Sequence, residues 1–131
     1  MLLSRRHAVI AAVGLGIAVA VPAYALQSPK FTPAALADAQ KAGKAVLVEV
    51  SAPWCPVCKA QKPVLDSLFS KDKYKSFVTF DVDFDSQKDA LKALNVQKQS
   101  TLIVFKGDKE VGRSTGVTDA AAIEALIAKA L

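Results

Sequence analysis

An α/β domain, with a central mixed β-sheet flanked by helices on both faces, is what this 131-residue sequence predicts. Three observations carry that prediction. Short apolar runs alternate with amphipathic stretches along residues 33–131. The run Val46-Leu47-Val48-Glu49-Val50 reads as a buried strand that leads straight into a helix. Two β-rich runs separated by Gly107-Asp108 read as a hairpin near the end of the chain.

The elements follow in order. Thr32-Pro33 is a helix start, an N-cap followed by proline at the first helical position, and Gly43 stops the helix after Ala34 to Ala42. Val46 to Val50 suits a central strand, and Cys55 to Phe69 a helix. Phe77-Val78-Thr79-Phe80-Asp81-Val82 is rich in β-branched and aromatic residues and reads as the next strand. Ser86 is expected to cap a helix to about Leu94, with Ala90, Leu91 and Leu94 on one face. Thr101 to Phe105 and Glu110 to Ser114 form the hairpin strands. Thr118 is expected to cap a last helix in which Ile123, Leu126, Ile127 and Leu131 recur at helical spacing. There is no internal repeat and no low-complexity segment.

The N-terminus has a different character. Arg5 and Arg6 precede the uncharged stretch Ala8 to Val21, Pro22 breaks it, and Ala23-Tyr24-Ala25 supplies a small-x-small cleavage pattern. Residues 1–25 therefore read as a signal peptide, with an uncleaved anchor as the alternative, 26–32 as a linker in which Gln27 to Phe31 carries little structure or one short edge strand, and 33–131 as the domain. The apolar run is short for a bilayer span, which takes about 20 residues. Ser4-Arg5-Arg6 gives a weak hint of twin-arginine export. Either way the positive end stays inside and the domain faces out, which predicts a periplasmic location.

Cleavage leaves 106 residues, enough for one small domain, and lowers the net charge from +5 to +3. The lysines at 71, 73 and 75 alternate with Asp72, Tyr74 and Ser76, a solvated loop and not a phosphate-binding run. No nucleic-acid partner is expected. The single histidine, His7, lies in the leader, so the domain offers little for a closed Cys/His zinc site.

The chemistry lies in Trp54-Cys55-Pro56-Val57-Cys58-Lys59, which holds both cysteines of the chain in C-x-x-C spacing. Cys55 falls at a helix start, where free N–H groups and the helix dipole favour a thiolate. Cys58 lies one turn deeper on the same face, close enough to close a disulfide with it. Cys55 is the expected attacking thiolate and Cys58 the resolving thiol. Pro56 suits the first turn because its missing N–H is not needed there. Trp54 is either an aromatic wall beside the sulfur or a packing residue. Glu49 interrupts an apolar strand six positions before Cys55. Burial would raise its pKa and suit it to take the proton of Cys58, whereas a solvated sheet edge would give it no role.

Together these positions resemble the thioredoxin family over nearly all of residues 33–131. The matching residues are Ala52-Pro53-Trp54-Cys55, Cys58-Lys59, Pro63 where the family kinks its active-site helix, Thr101 to Phe105 with Lys106-Gly107, and Gly116. The resemblance implies a thioredoxin fold and a thiol–disulfide oxidoreductase whose redox group is the Cys55–Cys58 disulfide, with no other cofactor and no metal. It places Glu49 at the family's buried acid. Exported C-P-x-C members are similar to cytochrome-c-maturation reductases, and Leu94-Asn95-Val96 with Thr101-Leu102-Ile103 resembles the C-terminal domain of transmembrane disulfide reductases. Both imply a reductant of protein disulfide substrates fed by a membrane electron donor. The substrate-binding residues expected on this basis are Trp54, Pro56, Val57, Gln99, Ser100 and Thr101.

Two departures stand out. The family carries a cis-proline before the Thr-Leu-x-x-Phe strand, and this chain has Ser100 there. A cis bond before a non-proline residue costs about 2.5–4 kcal/mol, so Gln99–Ser100 is expected to be trans, leaving a hydroxyl able to bond the Cys55 thiolate. The loop Gln97 to Ser100, which in the family pairs with extended substrate, would then differ in specificity. Asp81 stands where several thioredoxins carry lysine. Near Glu49 it would push the ionisation of the buried carboxyl up further, and pointing to solvent it would do nothing.

Ser100 also admits a rival reading, an exported Cu(I) carrier using the two thiolates, although the domain has no Met or His to complete a site. A third reading is a disulfide-forming oxidant. Such oxidants need an unusually stabilised Cys55 thiolate, to which Val57 contributes nothing.

Overall fold

The computed structural model describes residues 28–131. The expected signal peptide and the start of the expected linker, residues 1–27, lie outside the described residues. The elements in chain order are α1 (Pro33–Lys41), β1 (Ala45–Ser51), α2 (Pro56–Phe69), a short 3-10 turn (Asp72–Tyr74), β2 (Val78–Asp83), α3 (Lys88–Ala93), β3 (Thr101–Lys106), β4 (Lys109–Thr115) and α4 (Ala120–Ala128). The strands form one mixed sheet in the order β2-β1-β3-β4, with β1 parallel to β2 and antiparallel to β3.

Alternation along β1 sorts the sheet into two faces. Val46, Val48 and Val50 pack with Phe31, Leu36 and Leu91, on the side covered by α1 and α3. Leu47 packs with Leu65, Leu68 and Ile127, on the side covered by α2 and α4. Glu49, two positions after Leu47, therefore belongs to the α2 side of the sheet. Because β1 is flanked by strands on both edges and helices on both faces, its five residues Val46 to Val50 are all buried.

α1, α2 and α4 each start at a side-chain cap, and α3 does not. Thr32 Oγ1 accepts the Ala35 N–H at 3.1 Å, and Pro33 opens α1. Gly43, with φ +68°, ends it in a backbone region that glycine enters without a Cβ penalty. Two expected caps move. Ser86 does not cap α3: Asp83, at the end of β2, takes the Asp85 and Ser86 N–H groups on Oδ1, so Ser86 sits in that turn and Gln87 precedes the helix. Asp119, not Thr118, caps α4, its Oδ2 accepting the Ala122 N–H at 2.9 Å. An aspartate there adds negative charge against the helix dipole, which a threonine lacks.

Residues 28–31, expected as linker, run beside the outer edge of β2. Phe31 N–H donates to Asp81 O at 2.8 Å and Asp81 N–H to Pro29 O at 3.0 Å, a parallel bridge. Phe31 is buried against Phe80. Among the described residues no helix is long and apolar enough to cross a membrane.

Candidate active site

β1 ends at Ser51, and the chain turns through Ala52 to Trp54 before α2 begins. The Cys55 N–H bonds Ala52 O at 3.1 Å, which closes that turn and sets Cys55 at the N-cap of α2. From there the Cys55 sulfur accepts the Cys58 N–H at 3.1 Å, one of the donors a helix start leaves unpaired. The sulfur thus does the work of a capping oxygen. Cys55 and Cys58 form a disulfide across a Cα–Cα distance of 5.3 Å, well within the range such a bond spans.

The disulfide is lined by Ala52, with Val57 and Phe84 packed against it, and Cys55 is only 1% exposed. Pro56 is exposed and Val57 half-buried. Trp54 is 55% exposed, its indole N–H donating to Asp85 Oδ2 at 2.9 Å and its ring edge-on to Phe84 at 6.3 Å. Trp54 therefore stands beside the sulfurs as an aromatic surface held by the loop after β2. Pro63 lies inside α2 and withholds an N–H from the Lys59 carbonyl, the local fault by which proline bends a helix.

Glu49 is 8% exposed and faces α2. Burial pushes its carboxyl up to about 7, helped by the Asp81 carboxylate and more weakly by Asp66, while the Lys62 ammonium pulls the other way. The solvated-edge alternative does not hold. Asp81 is directly across from Glu49 in the parallel register, and its Oδ1 accepts the Ser51 hydroxyl at 2.8 Å. It is half-buried and does not point freely to solvent. Ser28, Glu49, Ser51, Lys62 and Asp81 line a cleft of about 270 Å³, which gives the buried carboxyl an outlet bordered by polar side chains. On its other side Glu49 borders an apolar groove of about 790 Å³ between α2 and the β2 edge.

On the opposite side of α2, the described residues contain no cis peptide bond, so Gln99–Ser100 is trans. Ser100 takes φ +58°, a left-handed conformation that costs a non-glycine residue roughly 1–2 kcal/mol. Its hydroxyl does not serve the Cys55 sulfur; it donates to Gln99 O at 2.5 Å. Gln99 is half-buried beside it. Thr101 is also turned inward, since its buried hydroxyl donates to Lys98 O at 2.7 Å and meets Thr115 Oγ1 at 3.0 Å. These bonds hold the side chain inward.

No sequence reading fell on Phe84, Asp85 and Gln61 around the disulfide, or on Ser51 and Lys62 beside Glu49. Nothing local marks Phe84 or Asp85, which arrive from the loop after β2. Gln61 did leave a signal. Cys58, Gln61, Leu65 and Leu68 follow helical spacing, and all are buried, so a polar residue occupies an apolar stripe. Among the described residues no group of three or more His, Cys, Asp or Glu side chains is arranged to hold a metal ion.

A disulfide capping the helix that follows the central strand of such a sheet defines a site for thiol–disulfide exchange. The thioredoxin family profile matches residues 29–129, and the chain belongs to the thioredoxin family. Thioredoxin from Chlamydia muridarum is 37% identical over 84 residues, covering 64% of this chain and 80% of that one. Thioredoxin from Echinococcus granulosus is 34% identical over 96 residues, 73% of this chain and 88% of the relative. The crystal structure of Trxlp from Edwardsiella tarda superposes with a TM-score of 0.73 at 41% identity, covering 76% of this chain and 96% of that chain. The protein is a thioredoxin-like thiol–disulfide oxidoreductase whose redox group is its own Cys55–Cys58 disulfide; thioredoxins act on protein disulfides and need no cofactor.

Proposed function

We propose that the protein is an exported reductant, working in the periplasm on protein disulfides and recharged by a membrane electron donor, in the manner of the cytochrome-c-maturation reductases. The observation that carries the direction of electron flow is the cap of α2. Among the described residues, one backbone N–H, that of Cys58, reaches the Cys55 sulfur. A strong oxidant stabilises its attacking thiolate far more than one N–H does, often with a histidine in the motif, and Val57 stands there.

The cycle starts from the dithiol. The Cys55 thiolate attacks one sulfur of the substrate disulfide, a mixed disulfide forms, and the other substrate sulfur leaves as a thiolate. Cys58 gives its proton to Glu49 and attacks the Cys55 sulfur, which expels the second substrate thiolate. Two electrons pass to the substrate and Cys55–Cys58 is left oxidised. With its carboxyl near 7, Glu49 is ionised enough to accept a proton and basic enough to hold it. The cleft beside it then returns that proton to water. Trp54, Pro56 and Val57 form the rim that substrate meets, and the loop Gln97 to Ser100 receives its extended backbone. The fit of residues 1–25 to a cleavable export signal supports the location.

The deciding experiment is the reduction potential of Cys55–Cys58, equilibrated against a glutathione series. A value near −270 mV supports the reductant, and one near −120 mV assigns an oxidant instead. N-terminal sequencing of protein from the periplasmic fraction tests the location; a start at Leu26 is the expected result.

A further inference from the structure

Gln61 is fully buried in α2, three residues beyond Cys58. Its amide nitrogen donates to Ser100 O at 3.2 Å and to Val117 O at 2.8 Å. Both neighbours are carbonyl oxygens, so the orientation of the amide is fixed: the reverse would set oxygen against oxygen. The price of that choice is a buried Oε1 with no partner. A side chain that leaves an acceptor orphaned in a core is retained for what its donors hold.

What they hold is the left-handed residue. Ser100 N–H donates to Val50 O at 2.8 Å, and Ser100 O accepts the Gly116 N–H at 3.0 Å as well as the Gln61 amide. Val50 belongs to the strand that leads into Cys55, and Gln61 to the helix that leads away from it. Ser100 is therefore pinned by both segments that flank the disulfide in the chain, and among the described residues Gln61 is the one side chain bonded to it. A proline would fix such a loop through its own ring; Ser100 has no such restraint, and its strained φ persists only because its neighbours over-determine it.

We propose that Gln61 is a positioning residue for substrate recognition: its amide sets the height of the Gln97–Ser100 loop over the disulfide, and so the affinity for extended protein disulfides, without altering the reactivity of the sulfurs. This rests on the reading that the loop receives substrate backbone.

The test compares wild type with Gln61→Leu, and with Gln61→Met should the leucine variant fail to fold. Each is assayed with insulin, whose disulfides lie in a polypeptide, and with 5,5′-dithiobis(2-nitrobenzoate), which is too small to need the loop. Loss of both Gln61 hydrogen bonds, of which the one to Ser100 O bears on the loop, should raise KM for insulin about fivefold, with kcat and the small-disulfide rate changed less than about twofold. An unchanged KM for insulin, or a parallel fall in both rates, overturns the proposal. Amide exchange in the Cys58→Ser mixed disulfide with insulin separates the two readings. If residues 97–100 gain no protection there, the loop does not receive substrate and both fail. If they gain it while KM stays fixed, only the role of Gln61 fails.

Discussion

Glu49 and Asp81 are direct partners across the parallel β1–β2 pair, two carboxylates facing the same side of the sheet with Lys62 reaching toward them from α2. Lys62 does not belong to Glu49 alone, since its ammonium lies 2.7 Å from Asp66 on the exposed flank of the helix. The buried acid is thus set by burial first and by a contest of neighbouring charges second. Asp81→Asn removes the raising charge and should move the Glu49 titration down. Lys62→Met removes the lowering one and should move it up. Carboxyl titration by NMR reads both shifts, and movement in the same direction in both variants would refute this account of the charges.

The raised carboxyl also sets a pH dependence of stability. In the unfolded chain Glu49 titrates near its ordinary value of 4.5, and in the fold near 7. Between those values the folded state holds the proton that the unfolded state has lost, so stability falls as pH rises through this window and levels off above it. The displacement corresponds to something on the order of 3 kcal/mol. Glu49→Gln should abolish most of the fall, leaving the variant close to wild type at pH 4 and more stable at pH 8. Urea unfolding at the two pH values measures it; parallel curves for both proteins would mean that Glu49 is solvated.

The same substitution bears on turnover. Glu49→Gln keeps the shape of the side chain but cannot accept the Cys58 proton, so resolution of the mixed disulfide should slow about a hundredfold, the low end for a positioned base. The first attack by Cys55 should be unaffected. Stopped-flow separation of the two steps checks this, and equal resolution rates would return Glu49 to a purely structural role.

Cys58→Ser leaves the attacking sulfur without its resolving partner. Mixed disulfides with substrate should accumulate and show as reducible adducts on a non-reducing gel, whereas Cys55→Ser should form none. Adducts on Cys58 in the Cys55→Ser protein would reverse the assigned order of the sulfurs, which exposure alone does not rank because both residues are buried in the oxidised form.

The elements that were legible in the sequence are those whose signals are local. Thr32-Pro33 marked α1, the valine run marked β1, and Cys55 before Pro56 marked the start of α2, each because propensity and capping are decided within a few residues. Glu49 was legible too, as a charge where the strand pattern allows none. The cap at Thr118 failed because Asp119 took the Ala122 N–H, and that at Ser86 because Asp83 drew the Ser86 N–H into its own turn, leaving Gln87 to precede α3 without a side-chain cap. What no window could show was the contact between Gln61 and Ser100, 39 positions apart. Only the packing of α2 against the loop before β3 brings the two together.

Ser100 itself yields the sharpest prediction about how this site departs from its family. Replacing it with proline would appear to restore the family residue, yet the backbone here is built for something else. Proline fixes φ near −65°, while Ser100 holds +58°, and proline removes the N–H that bonds Val50 O at 2.8 Å. Nor does the trans Gln99–Ser100 bond supply the turn that a cis-proline needs. Ser100→Pro should therefore cost about 3 kcal/mol or more and lower Tm by over ~10 °C. Ser100→Gly should change stability by less than about 1 kcal/mol, because relief of the left-handed strain is offset by the greater freedom of glycine in the unfolded chain. Thermal unfolding of the two variants decides the matter: a proline variant as stable as wild type would mean that the loop switches readily to the family's cis form, and that Ser100 holds it open by no more than its own preference.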